Sequence, residues 1–531
     1  MVDQSPSAFD LEDRLRRLNE IGVALSVEHN LTVLLERILL EARSFTRADA
    51  GTLFLLKGDH LTFEIAQNDT LKSFAGGTRG KMDMPPVPLN QESVSGYVAV
   101  TGQALNIEDV YSEPVYRFEG PKNYDRMTGY RTRSILGVPM KDHEDQIIGV
   151  VQLINPLHPL TGEVVPFSAQ DQSLIQSLAS QAAVAINNVR LIAETEALFD
   201  SFVQVMATAI DERSPYTGGH IRRVAEMTMA VAHSINTCQE GPLGSRQFDE
   251  DELNELRIAA WMHDIGKITT PEWVVDKPTK LHTLFDRIEL VRTRFALIEK
   301  TIELERLEKQ VALQEAGQPL PAGFAEEYTR RLQALAEDLA FLERANTPGE
   351  FMQDADLVRL NQIASQAYVE GGQQRPYLSE NELNNLCIRK GSLTQGERQK
   401  INDHASMSIK MLAQIPFTRK LDQVPQIAGA HHEKLDGSGY PLGLKGGEIS
   451  LQARILALVD IFESLSADDR PYRSKPMPRE VVLRILKEEV ERGYLDRDVF
   501  ELFMRKELYL KLDEIKARMA EATAARNPQD V

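Results

Sequence analysis

The sequence predicts a multidomain chain: an α+β module, then a long connecting helix, then an all-α domain interrupted by an inserted helical hairpin. Three observations carry this. Short alternating apolar segments, GTLFLLKG and HLTFEIAQN, meet at Gly58-Asp59, which is a hairpin signal. From Phe167 an apolar 3–4 spacing runs without a loop signal into the C-terminal half. Beyond it, five histidines and two aspartates fall in stretches that read as helices or helix ends.

Residues 11–48 read as two helices, with Leu18, Ile21, Leu25, Leu34, Leu35 and Ile38 at helical spacing and Asn30 as the break. After the hairpin come a loop (MPPVPL), a short helix (SVSGYVAVTG) and strands around SILGVPMKD and QIIGVVQLINP, with Asp142 to Asp145 as the turn. Helix, antiparallel strands, helix is an α+β layer order.

In the connecting helix, Ile175, Leu178, Ala182, Ala185, Val189, Ile192, Glu196, Phe199, Val203, Met206 and Ile210 alternate at 3 and 4. Ten of the eleven are apolar. That is the spacing of a coiled-coil seam about 54 Å long, and it predicts a parallel homodimer. The alternative is two separate core helices, one per domain, that only look continuous in the sequence.

The net charge of −19 argues against a nucleic-acid backbone or an anionic membrane as the main partner. Cys238 and Cys387 are too few for a disulfide framework and suit a reducing compartment. No apolar run is long enough to span a membrane, and MVDQSPSAFDLEDRL lacks a basic-then-apolar signal pattern. The expectation is a cytoplasmic protein.

The residues that carry chemistry are His220, the pair His263-Asp264, His404, the pair His431-His432, and Asp460. In IAAWMHDIGKI an apolar helix ends abruptly on two ligand-type side chains and a glycine. VPQIAGAHHE runs straight into the glycine-rich DGSGYPLG. Asp460 interrupts the apolar run ARILALVDIF, where a carboxylate is costly without a cation or a hydrogen-bond donor. Imidazole and carboxylate without thiolate suit Fe, Mn or Zn. Two cations about 3.5–4 Å apart can share a carboxylate and a water-derived nucleophile for attack on phosphorus. Lys267 can add positive charge where the phosphoryl oxygens become more negative.

The stretches YTGGHIRRV, AAWMHDIGKI, PEWVVDKPTKL, HHEKLDGSGYPLGL, ARILALVDIFESL and DRPYR resemble the HD-GYP branch of the HD phosphohydrolases. The resemblance implies an all-helical domain over 213–281 and 392–515 that hydrolyses cyclic dinucleotides, chiefly cyclic di-GMP to pGpG or GMP. It implies one metal held by His220, His263, Asp264 and Asp460, and a second held by His404, His431 and His432, with Asp264 bridging. Tyr216 stands where three-metal members carry Glu, so two divalent ions are expected. Fe or Mn are the first choice, with Zn, Ni or Co as alternatives. By the same comparison Asp264 and Lys267 are the catalytic pair. Lys267, Arg470 and Arg473 contact substrate, and Gly439, Tyr440 and Pro441 shape one wall.

Residues 12–170 resemble a GAF domain through ADAGTLFLLKGDHLTFEI, SGYVAVTGQALNIEDV, RSILGVPMKDHEDQIIGVVQLINP and, running on into the connecting helix 171–212, FSAQDQSLIQSLASQAAVAINN. Such domains regulate attached enzymes, bind small ligands, or serve as dimerisation scaffolds. No cysteine lies here for a covalent bilin, and His29, His60, His143 and His158 leave a haem ligand open. The resemblance leaves two states open for this domain, a small ligand of unknown identity or none.

Between the HD-like segments, residues 282–391 form a helical insertion. Tyr328, Leu332, Leu335, Leu339 and Leu342 make an apolar stripe, with Leu304, Leu307 and Val311 expected opposite across a turn at GQPLPAG. Residues 347–391 read as weakly patterned chain with GGQQRP as a loop. A spacer and a lid or docking arm are both open. Two further functions stay open as well: the same metals acting on another cyclic dinucleotide, nucleotide or phosphomonoester, and a receptor that binds cyclic di-GMP without turnover.

Overall fold

The computed structural model describes residues 8–80, 82–213, 219–349, 351–467 and 477–526, which divide into two units, 1–199 and 200–531.

In the first unit, α1 (Ala8–Ser26) and α2 (Leu31–Thr46) are separated by Asn30. The Asn30 side chain caps α2 by accepting from the Thr32 and Val33 amides, as its position in the sequence suggests. An antiparallel sheet follows, built from β1 (Ala48–Lys57), β2 (His60–Asn68), β3 (Ser73–Gly76), β4 (Val87–Pro88), β5 (Leu105–Ile107), β6 (Ile135–Lys141) and β7 (Ile147–Pro156). The order is β3-β2-β1-β7-β6-β5, with β4 beside β2. Lys57 pairs with His60 across the two-residue turn that begins at Gly58, whose φ is 63°.

Alternation along β1 separates the two faces. Leu53 and Leu55 pack with α1, α2 and the start of α5 (Ala169–Asp211), whereas Phe54 packs with α3 (Val94–Thr101) on the other side. On the α3 side, near α4 (Glu119–Thr128), lies a cavity of about 290 Å³. Its lining includes Phe54, Phe63, Tyr124, Gln67, Thr132 and Gln152, and no lining residue is formally charged. None of the four histidines weighed as haem ligands is among them.

The connecting helix is continuous over 43 residues, as its unbroken spacing predicts, and its apolar seam is buried towards both ends. Ile175, Leu178, Ala182 and Ala185 lie in the core of the first unit, while Val203 and Ile210 are buried in the second. Burial within each unit accounts for the two ends of the seam, while Ile192 and Glu196 between them are exposed. Exposed apolar residues on this helix include Ile192 of the predicted seam and, at intervals of seven, Val184, Leu191 and Leu198.

The second unit is helical: α6 (His220–Asn236), α7 (Glu250–Met262), α8 (Glu272–Val275), α9 (Ile288–Glu315), α10 (Phe324–Asn346), α11 (Asp354–Ala364), α12 (Glu380–Leu386), α13 (Gln395–Leu412), α14 (Val424–Gly429), α15 (Leu451–Ser466), α16 (Arg479–Glu491), α17 (Arg497–Arg505) and α18 (Lys511–Arg526). Capping boxes start α7 (Asp249 with Glu252) and α13 (Thr394 with Glu397). α6 packs on α7 and α15, and α14 packs on α7 and α13, which gathers five helices around one centre.

The insertion has its own core, from Leu281 to Leu386. α9 and α10 form the expected hairpin, and Tyr328, Leu335 and Leu342 are buried. Their partners differ from expectation: Ile288, Val291, Phe295, Ile298 and Ile302 face inward, while Leu304, Leu307 and Val311 are about half exposed. α9 carries two apolar stripes, and periodicity alone cannot choose between them. Residues 347–391 are also more ordered than their composition suggests. They form α11, a hairpin of β8 (Ala367–Glu370) and β9 (Gln373–Pro376) turning at Gly371-Gly372, and α12. The ends of the insertion meet: Ser392 Oγ donates to the Lys277 carbonyl at 2.8 Å. The Lys277 ammonium donates to Glu397 at 2.9 Å and to Asn385 at 2.8 Å.

No helix among the described residues is long and apolar enough to cross a membrane, and both cysteines are free.

Candidate metal centre

The seven predicted side chains converge. His220 opens α6, His263 caps the end of α7, and Asp264 precedes the short helix Ile265–Thr269. His404 lies within α13, His431 and His432 follow α14, and Asp460 lies within α15. All but the partly exposed His432 are buried, and His263 is 0% exposed.

Three of the histidines share one local device. Nδ1–H donates to the backbone carbonyl three residues earlier: His263 to Ala260 at 2.8 Å, His404 to Ile401 at 2.5 Å and His431 to Ala428 at 2.6 Å. Because a carbonyl can only accept, the proton must sit on Nδ1, and Nε2 presents its lone pair to the centre.

Those lone pairs meet acceptors. His404 Nε2 lies 3.3 Å from His431 Nε2, an arrangement of two electron-rich atoms that is repulsive unless a cation stands near both. His263 Nε2 and Asp264 Oδ1 are buried with no hydrogen-bond partner. Asp264 faces both halves of the cluster. Its Oδ2 lies 3.5 Å from His220 Nε2 and 3.4 Å from His263 Nε2, while its Oδ1 lies 3.4 Å from His404 Nε2 and 4.0 Å from His431 Nε2. Asp460 Oδ1 is 3.3 Å from His220 Nε2 and 3.8 Å from His263 Nε2. Two groups have ligand atoms close enough to share an ion: His220 with His263 and Asp264, and His404 with His431 and His432. This nitrogen and oxygen donor set, with its orphaned atoms turned inward, fits a pair of divalent transition metals.

The electrostatics agree. Burial alone raises a carboxyl pKa, yet Lys267 and the imidazoles hold Asp264 well below the usual range, and His220 does the same for Asp460. Burial pushes His404 down, His431 far down and His432 to about 4, so these rings are neutral and able to donate lone pairs. His220 is the exception. Burial lowers it, but Glu463 and the two aspartates drive it well above the ordinary histidine value.

Lys267 Nζ is 2.5 Å from Asp264 Oδ2, and Arg213 donates to the Lys267 carbonyl at 2.7 Å. A narrow cleft beside them is walled by Asp211, Arg213, Lys267 and Glu272. Gly266 is obligatory by packing: a Cβ there would collide with the His404 carbonyl. The Tyr440 ring packs against His432, tilted by 41° with centroids 4.8 Å apart, and its amide donates to the His432 carbonyl. At Gly439 a Cβ would strike the Glu433 backbone. Arg470, Arg473 and Tyr216 lie outside the described residues.

Four residues escaped the sequence reading. Glu433 accepts from the amides of Leu442, Gly443 and Leu444 and so shapes the DGSGYPLGL loop. Asp211 is buried beside the cluster, and burial raises its carboxyl to about 7. Glu463 accepts from His220 Nδ1–H and pairs with Arg223 Nε at 2.5 Å. Glu463 stands one turn after Asp460 and Arg223 one turn after His220, and that spacing was the available signal.

Residues 30–186 match the family model for the GAF domain, and residues 217–341 and 377–499 each match a model for the HD domain. The 3'3'-cGAMP-specific phosphodiesterase 3 of Vibrio cholerae serotype O1 is 39% identical over 132 residues, 25% of this chain and 27% of that one. Phosphodiesterase 1 of the same specificity and organism is 40% identical over 120 residues, 23% of this chain and 27% of that one. The chain thus spans about a quarter of the length of these curated relatives. Among solved structures, the GAF domain of a phosphoenolpyruvate-protein phosphotransferase from Coxiella burnetii aligns at 16% identity with a TM-score of 0.28. Its Acinetobacter counterpart aligns at 18% with a TM-score of 0.26, and each covers 36% of this chain and 99% of its own. On the matches to the family models, the chain carries a GAF domain followed by an HD domain.

Proposed function

We propose that the chain is a metal-dependent phosphodiesterase that opens a cyclic dinucleotide, cyclic di-GMP, to pGpG or GMP, under regulation by its GAF domain. The observation that supports this most is Asp264, whose two oxygens face two separate histidine groups. His220, His263, Asp264 and Asp460 would hold one divalent ion, and His404, His431 and His432 the other, with Asp264 shared. When bound, such a pair activates water and neutralises phosphoryl oxygens. The chain's own part is to turn the Nε2 atoms of His220, His263, His404 and His431 inward, to keep both aspartates ionised, and to exclude bulk water by burial. Lys267, held beside Asp264 Oδ2, supplies a fixed positive charge to the phosphate.

A second reading, turnover of 3'3'-cGAMP, is favoured by the specificity of the two Vibrio relatives. The test is to load the full chain with Mn²⁺ or Fe²⁺ and offer cyclic di-GMP, 3'3'-cGAMP and a phosphomonoester, with products followed by chromatography. Faster cleavage of cyclic di-GMP supports the first reading, and faster cleavage of 3'3'-cGAMP the second. Tight binding without product from either dinucleotide makes the chain a receptor and refutes both.

A further inference from the structure

We infer that Glu463 and Arg223 are positioning residues that aim His220 at one of the two metal positions, an inference that rests on the two-metal reading above. His263, His404 and His431 each take their Nδ1 acceptor from the backbone carbonyl three residues earlier. His220 is the first residue of α6, so no preceding turn of its helix supplies one. Its acceptor comes instead from a different helix, the Glu463 carboxylate on α15, 243 positions along the chain. Glu463 is 0% exposed, and an ionised carboxylate in that setting needs compensation, which Arg223 Nε provides at 2.5 Å. Arg223 lies one turn after His220 on the same helix, so the three groups form a closed clamp between α6 and α15. A carboxylate acceptor on Nδ1–H fixes the ring and enriches Nε2 in electron density more than a neutral carbonyl does. The clamp serves one half of the cluster alone. The His404, His431 and His432 half has no carboxylate behind any ring among the described residues.

The test is Co²⁺ titration of the full-length apoprotein, read by visible absorption and by ions retained per chain after dialysis. Wild type should retain two ions. Glu463→Gln keeps the shape and removes the charge. It should retain one ion tightly while affinity for the other falls about 10–100-fold, with one set of cobalt bands altered and the thermal midpoint nearly kept. Arg223→Lys should show the same asymmetry, more weakly. Two ions retained at wild-type affinity in Glu463→Gln would overturn the inference, as would equal weakening of both sites. If neither variant folds, the pair is a structural ion pair and the inference also falls. A wild-type chain that takes up no Co²⁺ would instead defeat the two-metal reading itself.

Discussion

The cavity in the N-terminal unit and the cluster around Asp264 are both enclosed by secondary structure, yet their walls differ in kind. The first is lined by Phe54, Phe63, Ile135 and uncharged polar groups such as Gln67 and Gln152. The second packs carboxylates and imidazoles against one another in the near absence of solvent. An uncharged wall is stable empty or filled and makes few demands on its neighbours. A wall of converging ligands is stable only with positive charge inside it, and it requires a shell of orienting groups around it. The difference shows how each half can be read: the C-terminal site announces its chemistry, and the N-terminal cavity announces only a size.

The largest effect should follow from removing charge where it is required. Asp264→Ala or His263→Ala should abolish metal retention and lower turnover at least about a thousandfold. Elemental analysis paired with a hydrolysis assay checks both, and unchanged hydrolysis in either variant would break the comparison. Next comes the anchor of the insertion. Lys277→Ala leaves Glu397 without its cation at the start of the helix that carries His404, and should cost about 2–3 kcal/mol in chemical denaturation. The reciprocal change, adding charge where none is present, is Gln152→Glu. It should destabilise the N-terminal unit by about 1–2 kcal/mol while leaving metal content untouched. A neutral result there would mean that the cavity tolerates charge after all.

A pH effect separates the insertion from both sites. Burial pushes the Lys280 ammonium down from 10.5 to about 8. Below pH 8 it is charged in both the folded and unfolded chain, and the burial cost is fully present. Between pH 8 and 10.5 the folded form sheds the proton while the unfolded chain retains it, so stability rises with pH across that window. Lys280→Met should therefore stabilise the protein by about 1–2 kcal/mol at pH 7, and the gain should fade by pH 10.5 in melting curves. The smallest energetic effect belongs to the connecting helix. Leu198 is 72% exposed, so Leu198→Glu should change monomer stability by less than about 0.5 kcal/mol. If Val184, Leu191 and Leu198 form the seam of a homodimer, the same variant should sediment as a monomer while wild type does not.

How much was legible follows from what each residue must do. The seven ligand-type residues stood out as a set: each alone could be a hydrogen-bonded core or surface residue, but together, in apolar helices and helix ends, they suit ligation. The alternating strands and the Asn30 break were equally plain, since side-chain period and capping chemistry are local. Glu463 and Arg223 were invisible because a glutamate or arginine on a helix usually reads as a solvated face. Only the crossing of α6 and α15 turns them inward. The inward stripe of α9 was misread for a related reason. Periodicity reports that a face is apolar, and the neighbour that covers it is a tertiary fact.

The hydrogen bond from Ser392 to the Lys277 carbonyl places the departure and return of a lobe of about 110 residues side by side. Such a lobe is topologically a bead on a closed neck. Lengthening or exchanging its far end should leave the helices that build the histidine cluster in place, provided Asn385 and Glu397 still hold the Lys277 ammonium.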